Sequence, residues 1–336
     1  MLKAPQRWLR SGKSWAWRRQ RRGQVPHALI LMYHRVAVPP AADPWRLCVS
    51  PERFDAQLRS LRSFADLVPL DRLPEAMRVR GGGRPAVAIT FDDGYLDNLT
   101  TAKPILERHE APATIFLATA CIERGERYWW DRLSDVVHGP RQLPTELRLE
   151  GSNGPFTWRD ERVTGSSAAQ AAARRALLDA LWRWLVPLSD DARNGCLCVL
   201  DQWAGRPDSL DASARPMSPA QVAELVAGGL IRAGAHTANH VHLPLLDREQ
   251  GLAEITQSRR DCGRLAGAEP DCFAYPFGIY DARAVDCVRD AGFRLACTSD
   301  GALAWADGES LALPRIAVGD WSALRFEAYL RHYWLA

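Results

Sequence analysis

Residues Ala86 to Gly94 read AVAITFDDG, and they leave little freedom in what surrounds them. Ala86, Val87, Ala88, Ile89, Thr90 and Phe91 form an unbroken run of small, β-branched and aromatic residues, the make-up of a strand buried on both faces of a parallel sheet. Such strands need long crossover connections, which points to an α/β fold. Two carboxylates, Asp92 and Asp93, stand where the strand has to end. Adjacent acids repel, so both stay ionised only beside something positive, and a divalent cation is one candidate. The other reading of DDG is a plain turn, since Asp and Gly favour turns for local reasons.

A second constraint lies far downstream in Leu230 to His240, LIRAGAHTANH. Another apolar run ends in His236 and His240, a spacing that can turn two imidazoles towards one point, although pairs of this kind are also found as structural features. Taken with the acids, one Asp and two His make a facial set of three ligands with positions left open, the pattern of a catalytic metal.

TFDDG (Thr90 to Gly94), HTANH (His236 to His240) and FAYPFG (Phe273 to Gly278) together resemble the three successive motifs of the polysaccharide deacetylases, carbohydrate esterase family four with its NodB-homology domain. The resemblance implies a distorted (β/α)7-type barrel with a partly helical insertion. It carries the role of catalytic base to Asp92 and of metal ligands to Asp93, His236 and His240, the metal being zinc, with Co²⁺, Ni²⁺ and Fe²⁺ also suited to two nitrogens and one oxygen. The third motif implies substrate contacts at Tyr275 and Phe277, with a backbone N–H near Phe277 completing an oxyanion hole. Much of the family opens that motif with an Arg that orients the base, where this chain has Ala274; Arg315, in LPRIAV, is the candidate replacement.

MYHRV (Met32 to Val36) resembles a branch of the family that acts on poly-N-acetylglucosamine, in which the motif order is circularly shifted and a first-strand His is the general acid. That makes His34 the candidate acid, against the alternative of a core histidine bonded to a carbonyl. No LxH-type fifth motif is found near the C-terminus, where His332 falls on the closing helix. The implied activity is metal-dependent removal of N-acetyl groups from N-acetylhexosamine units of a polysaccharide or glycan precursor, in exopolysaccharide synthesis. The alternatives are an O-acetyl esterase on a polysaccharide and a non-catalytic glycan-binding protein.

The remaining chain reads as strands alternating with helices. Ser50-Pro51, Ser218-Pro219 and Asp247 each mark a helix start, and the alternation predicts parallel pairing. Residues 122–216 break the rhythm and read as an insertion without a second set of alternating strands. Its Tyr128, Trp129, Trp130 and Trp158 suit either stacking on sugar rings, with Trp130 the candidate substrate contact, or packing.

At 336 residues and 47% hydrophobic, the chain can bury a large core, and its net charge of +3 gives no footing for nucleic acid. The charge is uneven: residues 1–22 hold eight Lys and Arg and no acid. We divide the chain into a basic tail, 1–24, and a barrel domain, 25–336. Trp8, Trp15 and Trp17 within the tail suit an anionic membrane surface, and a solvated segment is the other reading. Nothing in the tail has the apolar core of a signal peptide, and the eight cysteines form no CxxC pairs, so the expectation is reduced thiols in the cytoplasm, with peripheral contact at the inner membrane face.

Overall fold

The computed structural model describes residues 25–40, 42–79, 84–140, 142–164, 167–205 and 214–335. The basic tail and Gly81 to Gly83 lie outside them. The described chain divides into two compact units, the smaller made of Pro40–Trp45 and Arg127–Arg215 and the larger of the flanking segments.

The larger unit is built on a curled sheet of nine strands: β1 (His27–Tyr33), β2 (Asp66–Leu67), β3 (Ala86–Phe91), β4 (Ala113–Leu117), β5 (Ile231–Ala235), β6 (Cys272–Ala274), β7 (Leu295–Cys297), β8 (Ala304–Trp305) and β9 (Ile316–Ala317). The order β7-β6-β5-β4-β3-β1-β8 is parallel throughout except at β8, which runs antiparallel to β1. β2 adds to the start of β3. The segment leading into β9 has a special place: Leu313 bridges to Cys297 at the end of β7, and Ile316 pairs with Leu31 of β1. Residues 313–317 therefore lie between the two edges of the sheet, and Arg315 is carried at that seam.

Side chains of β1 and β3 alternate between two apolar clusters, as a strand buried on both faces requires. Leu29, Leu31, Tyr33, Val87, Ile89 and Phe91 pack with Phe54, Leu58 and Leu61 of helix α1 (Pro51–Phe64), whereas Ala28, Ile30, Ala86 and Ala88 face Phe116, Ala274 and Cys297. The other helices used below are α2 (Thr119–Arg124), α3 (Pro219–Val226), α4 (Arg248–Ala266), α5 (Ala282–Asp290) and α6 (Ala323–Leu335). Ser218 with Gln221 and Asp247 with Gln250 form reciprocal capping boxes on α3 and α4, where the sequence placed helix starts. Ser50 stands at the N-cap of α1 but turns its hydroxyl to Asp320 Oδ1 (2.7 Å), tying α1 to the loop after β9.

The smaller unit has its own core. Helices Trp129–His138, Ser167–Leu185 and Asp190–Trp203 and the antiparallel hairpin Glu146–Leu149/Phe156–Arg159 bury Leu133, Val137, Leu147, Leu177, Leu181 and Leu197 together. The expected boundary at residue 122 falls inside α2, which belongs to the larger unit. All eight cysteines are free thiols, and seven are buried. No helix among the described residues is long and apolar enough to cross a membrane.

Candidate metal centre and catalytic site

The candidate residues gather where the parallel strands end, the face at which α/β barrels collect their working groups. β3 delivers Asp92 and Asp93, β1 delivers His34, β5 delivers His236, and the seam brings Arg315. The Asp92 amide donates to the Tyr33 carbonyl (3.0 Å) and the His236 amide to the Leu117 carbonyl (3.0 Å), so the sheet's hydrogen bonding runs on into the site.

The two adjacent acids have separate partners. Asp93 Oδ1 lies 3.2 Å from His240 Nε2 and 3.5 Å from His236 Nε2. One ligand atom from each of the three residues falls within 4.8 Å of the others, and all three residues are buried. His236 Nδ1 donates to the Ala274 carbonyl (2.7 Å), which turns its Nε2 towards Asp93. Burial pushes His240 below its ordinary pKa against the pull of Asp93, keeping it neutral as a ligand must be. Burial also opposes charge on Asp93, yet its hydrogen bonds to His236 and His240 hold the carboxyl well below the usual range. A buried carboxylate facing two imidazole nitrogens fits a divalent cation that favours mixed nitrogen and oxygen ligands.

Asp92 faces Arg315 instead. The guanidinium donates through both terminal nitrogens to the two carboxylate oxygens (2.6 and 2.7 Å), a bidentate fork with Arg315 wholly buried. Arg315 is held in turn by the Thr298 carbonyl (2.9 Å) and the Thr90 hydroxyl (3.2 Å). Burial would raise the Asp92 pKa, but the charge and hydrogen bonds of Arg315, with His236 and His34 nearby, together outweigh it and the carboxyl sits below its ordinary value. His34 Nε2 is 3.9 Å from Asp92 Oδ2, and the His34 carbonyl accepts from the Asn98 side-chain amide (2.8 Å). With 22% of its side chain exposed, His34 is the part of this group that solvent reaches most easily.

The backbone around the site is strained. Asp93, Thr237, His240 and Phe277 all have positive φ, between 53° and 74°, a region that disfavours side chains with a Cβ. Gly94 and Gly278 continue the sharp turns, and a Cβ on Gly278 would overlap the Ser299 hydroxyl. The half-buried Phe277 presents its ring edge-on to His240 (4.4 Å) and stacks on His242 (4.0 Å).

Two expected substrate contacts are placed elsewhere. Tyr275 is fully buried and its hydroxyl donates to the Leu311 carbonyl (2.8 Å), because it ends β6 on the side facing α5. Trp130 is 4% exposed and stacks on Tyr128 (4.5 Å, 10°) within the smaller unit, so it is a packing residue there. The partners that sequence reading missed are mostly main-chain atoms, the carbonyls of Ala274 and Thr298, which carry no residue-type signature. Thr90, which opens the first motif near the end of β3, binds the guanidinium through its hydroxyl.

The sequence pattern of the polysaccharide deacetylases matches residues 80–154 and 187–296, more than half of the chain. The chain belongs to that family. A Bacillus subtilis relative, YxkH, whose name places it among the polysaccharide deacetylases, is 30% identical over 113 residues, a match spanning 33% of this chain and 39% of that protein. Solved structures of similar fold include the Streptococcus pyogenes deacetylase PplD (18% identity, TM-score 0.60, covering 92% of this chain and 99% of that one). Another is IcaB from Ammonifex degensii (19%, TM-score 0.55, 88% and 93%). The family pattern takes in Asp92, Asp93, His236 and His240, whereas His34 and Arg315 lie outside the matched stretches and were joined to the site by the fold.

Proposed function

We propose that this protein removes acetyl groups from N-acetylhexosamine units of a glycan by metal-assisted hydrolysis. The observation that carries the reading is the division of labour between adjacent acids: Asp93 faces two imidazoles while Arg315 holds Asp92 apart from them. A structural cation site has no use for a second, separately charged carboxylate beside it.

Asp93, His236 and His240 would hold the cation, zinc in our reading, which when bound polarises the acetyl carbonyl and lowers the pKa of water towards about 7. Asp92, kept ionised at neutral pH by Arg315, accepts a proton from the attacking water. His34, next to Asp92 and open to solvent, hands a proton to the departing nitrogen. Water adds its oxygen to the acyl carbon, the C–N bond breaks, and acetate and a free amine result. An amide nitrogen cannot leave as an anion, whereas an ester alkoxide leaves more readily, so a proton donor beside the base favours the amide over the ester.

Acetate release from a panel of N- and O-acetylated oligosaccharides tests this, with each reaction repeated after chelation and after zinc is restored. Release from N-acetylated members that chelation stops is the expected result. Release from esters alone would transfer the site to O-deacetylation, and release indifferent to chelation would remove the metal.

A further inference from the structure

The peptide bearing both imidazoles is held in a shape its residues do not prefer. Thr237 and His240 bracket Ala238 and Asn239 with φ of 59° and 53°, and neither is glycine. Such turns persist only where the surroundings over-determine them. Two elements do so. On the carbonyl side, the first amides of α2, Thr119 and Ala120, donate to the carbonyls of Thr237 (3.4 Å) and Ala238 (2.9 Å). On the amide side stands a single residue of α4, Glu254. Its Oε2 accepts from the consecutive backbone N–H groups of Ala238 (3.1 Å) and Asn239 (3.0 Å), and its Oε1 accepts from the Asn239 side-chain amide (2.6 Å). Asn239 Oδ1 is engaged by Arg124 of α2 (2.9 Å), so the side chain is gripped at both ends.

Hydrogen bonds from amides to a carboxylate are charge-assisted and stronger than neutral ones. Two successive N–H groups can converge on one oxygen only when the backbone between them is curled, which is the conformation that aims His236 and His240 at the same point. We propose that Glu254 is a positioning residue of the metal centre: it touches neither cation nor substrate, and it sets the separation and aim of the two imidazoles by binding the loop between them. This inference rests on the metal reading of Asp93, His236 and His240. Loss of the carboxylate frees the loop to relax out of its left-handed turns, which moves the ligand nitrogens before anything at Asp92 is disturbed.

The test is zinc affinity of the purified full chain, stripped of metal and titrated in competition with a chromogenic chelator, with a thermal melt of each metal-free form. Glu254→Ala is expected to weaken zinc binding about 10- to 100-fold, the range typical for lost support behind a ligand. Glu254→Gln keeps one carbonyl oxygen for the two backbone amides and is expected to weaken it less, and it stands in for the alanine variant should that one not fold. A merely structural carboxylate would lower the melting temperature and leave the zinc affinity of the folded chain unchanged. Zinc affinity within twofold of wild type in the folded variants overturns the role of Glu254 and leaves the metal centre standing. A wild-type chain that takes up no zinc overturns the metal centre and this inference with it.

Discussion

Both units of the molecule bury arginine, and Arg174 of the smaller and Arg315 of the larger are used differently. In the smaller unit Arg174, 6% exposed, donates to the carbonyls of Val137 and Pro140 at the end of helix Trp129–His138. It meets dipoles, and burial lowers its pKa. In the larger unit Arg315 is also buried, yet its pKa rises, because the charge and hydrogen bonds of Asp92, with Cys297 and Asp93 nearby, together outweigh the desolvation. The surroundings differ in the same sense. In the smaller unit the aromatics pack on one another, Trp129 and Trp45 both lying 4.5 Å from Trp182, and among its described residues only Gly154 and Gly205 take positive φ. Around Arg315 non-glycine residues are strained and ionisable groups are crowded. Aromatic density in this chain marks packing; strain beside buried charge marks chemistry.

Substitutions can break or sharpen that contrast. The largest effect is expected from Asp92→Asn, which should lower kcat about 10²- to 10⁴-fold, the usual contribution of a general base, while zinc content measured by atomic absorption stays at the wild-type level. Turnover close to wild type would place the base elsewhere. Next in size, Arg315→Ala leaves a buried carboxylate without its counter-charge and should cost about 3–5 kcal/mol in urea unfolding. Adding Asp92→Asn to it should recover part of that loss, since a neutral amide has less need of the guanidinium; strict additivity would show that the fork is not the cause. Arg174→Ala should cost only about 1–3 kcal/mol, the penalty for carbonyls left unsatisfied, with kcat/KM unchanged. A matching fall in kcat/KM would give Arg174 a part in the chemistry that its partners do not suggest.

The smallest effect is one of pH. The folded-state pKa of Asp92 is depressed, so its ion pair stabilises the protein above the unfolded-state value of about 3.9, and that stabilisation is lost as pH falls through the folded value. The stability advantage of wild type over Asp92→Asn should hold at pH 6 and shrink below about pH 4, read from urea midpoints at each pH. An advantage that grows on acidification would reverse the sign assigned here.

The sheet could be read in the sequence because strands such as AVAITF and HALILMY are apolar on both faces, and the helix starts because Ser218 and Asp247 stand before good helix formers. The gathering of Asp93, His236 and His240 was legible for a related reason, since these residues stand at or just past the ends of strands. Elements of the smaller unit were legible but passed over. ELRL, Glu146–Leu149, alternates polar and apolar, and its burial follows that alternation. Ser189 followed by Asp190 and Asp191 is a helix start with an acidic first turn, and it opens the helix Asp190–Trp203. Tyr275 and Trp130 misled for the opposite reason: a ring that could meet a sugar is equally suited to a core, and residue type cannot tell them apart. Glu254 lies 16 residues from the amide of Ala238, and only the packing of α4 against β5 brings it there.

Arg315 sits in a segment that the sheet can receive only after both of its neighbouring edges exist. Asp92, Asp93, His236 and His240 all precede it in the chain, so during synthesis they leave the ribosome first. A nascent chain therefore carries Asp93, His236 and His240 out before the counter-charge of Asp92, so in the proposed mechanism the ligand set can gather while the base still waits for its partner.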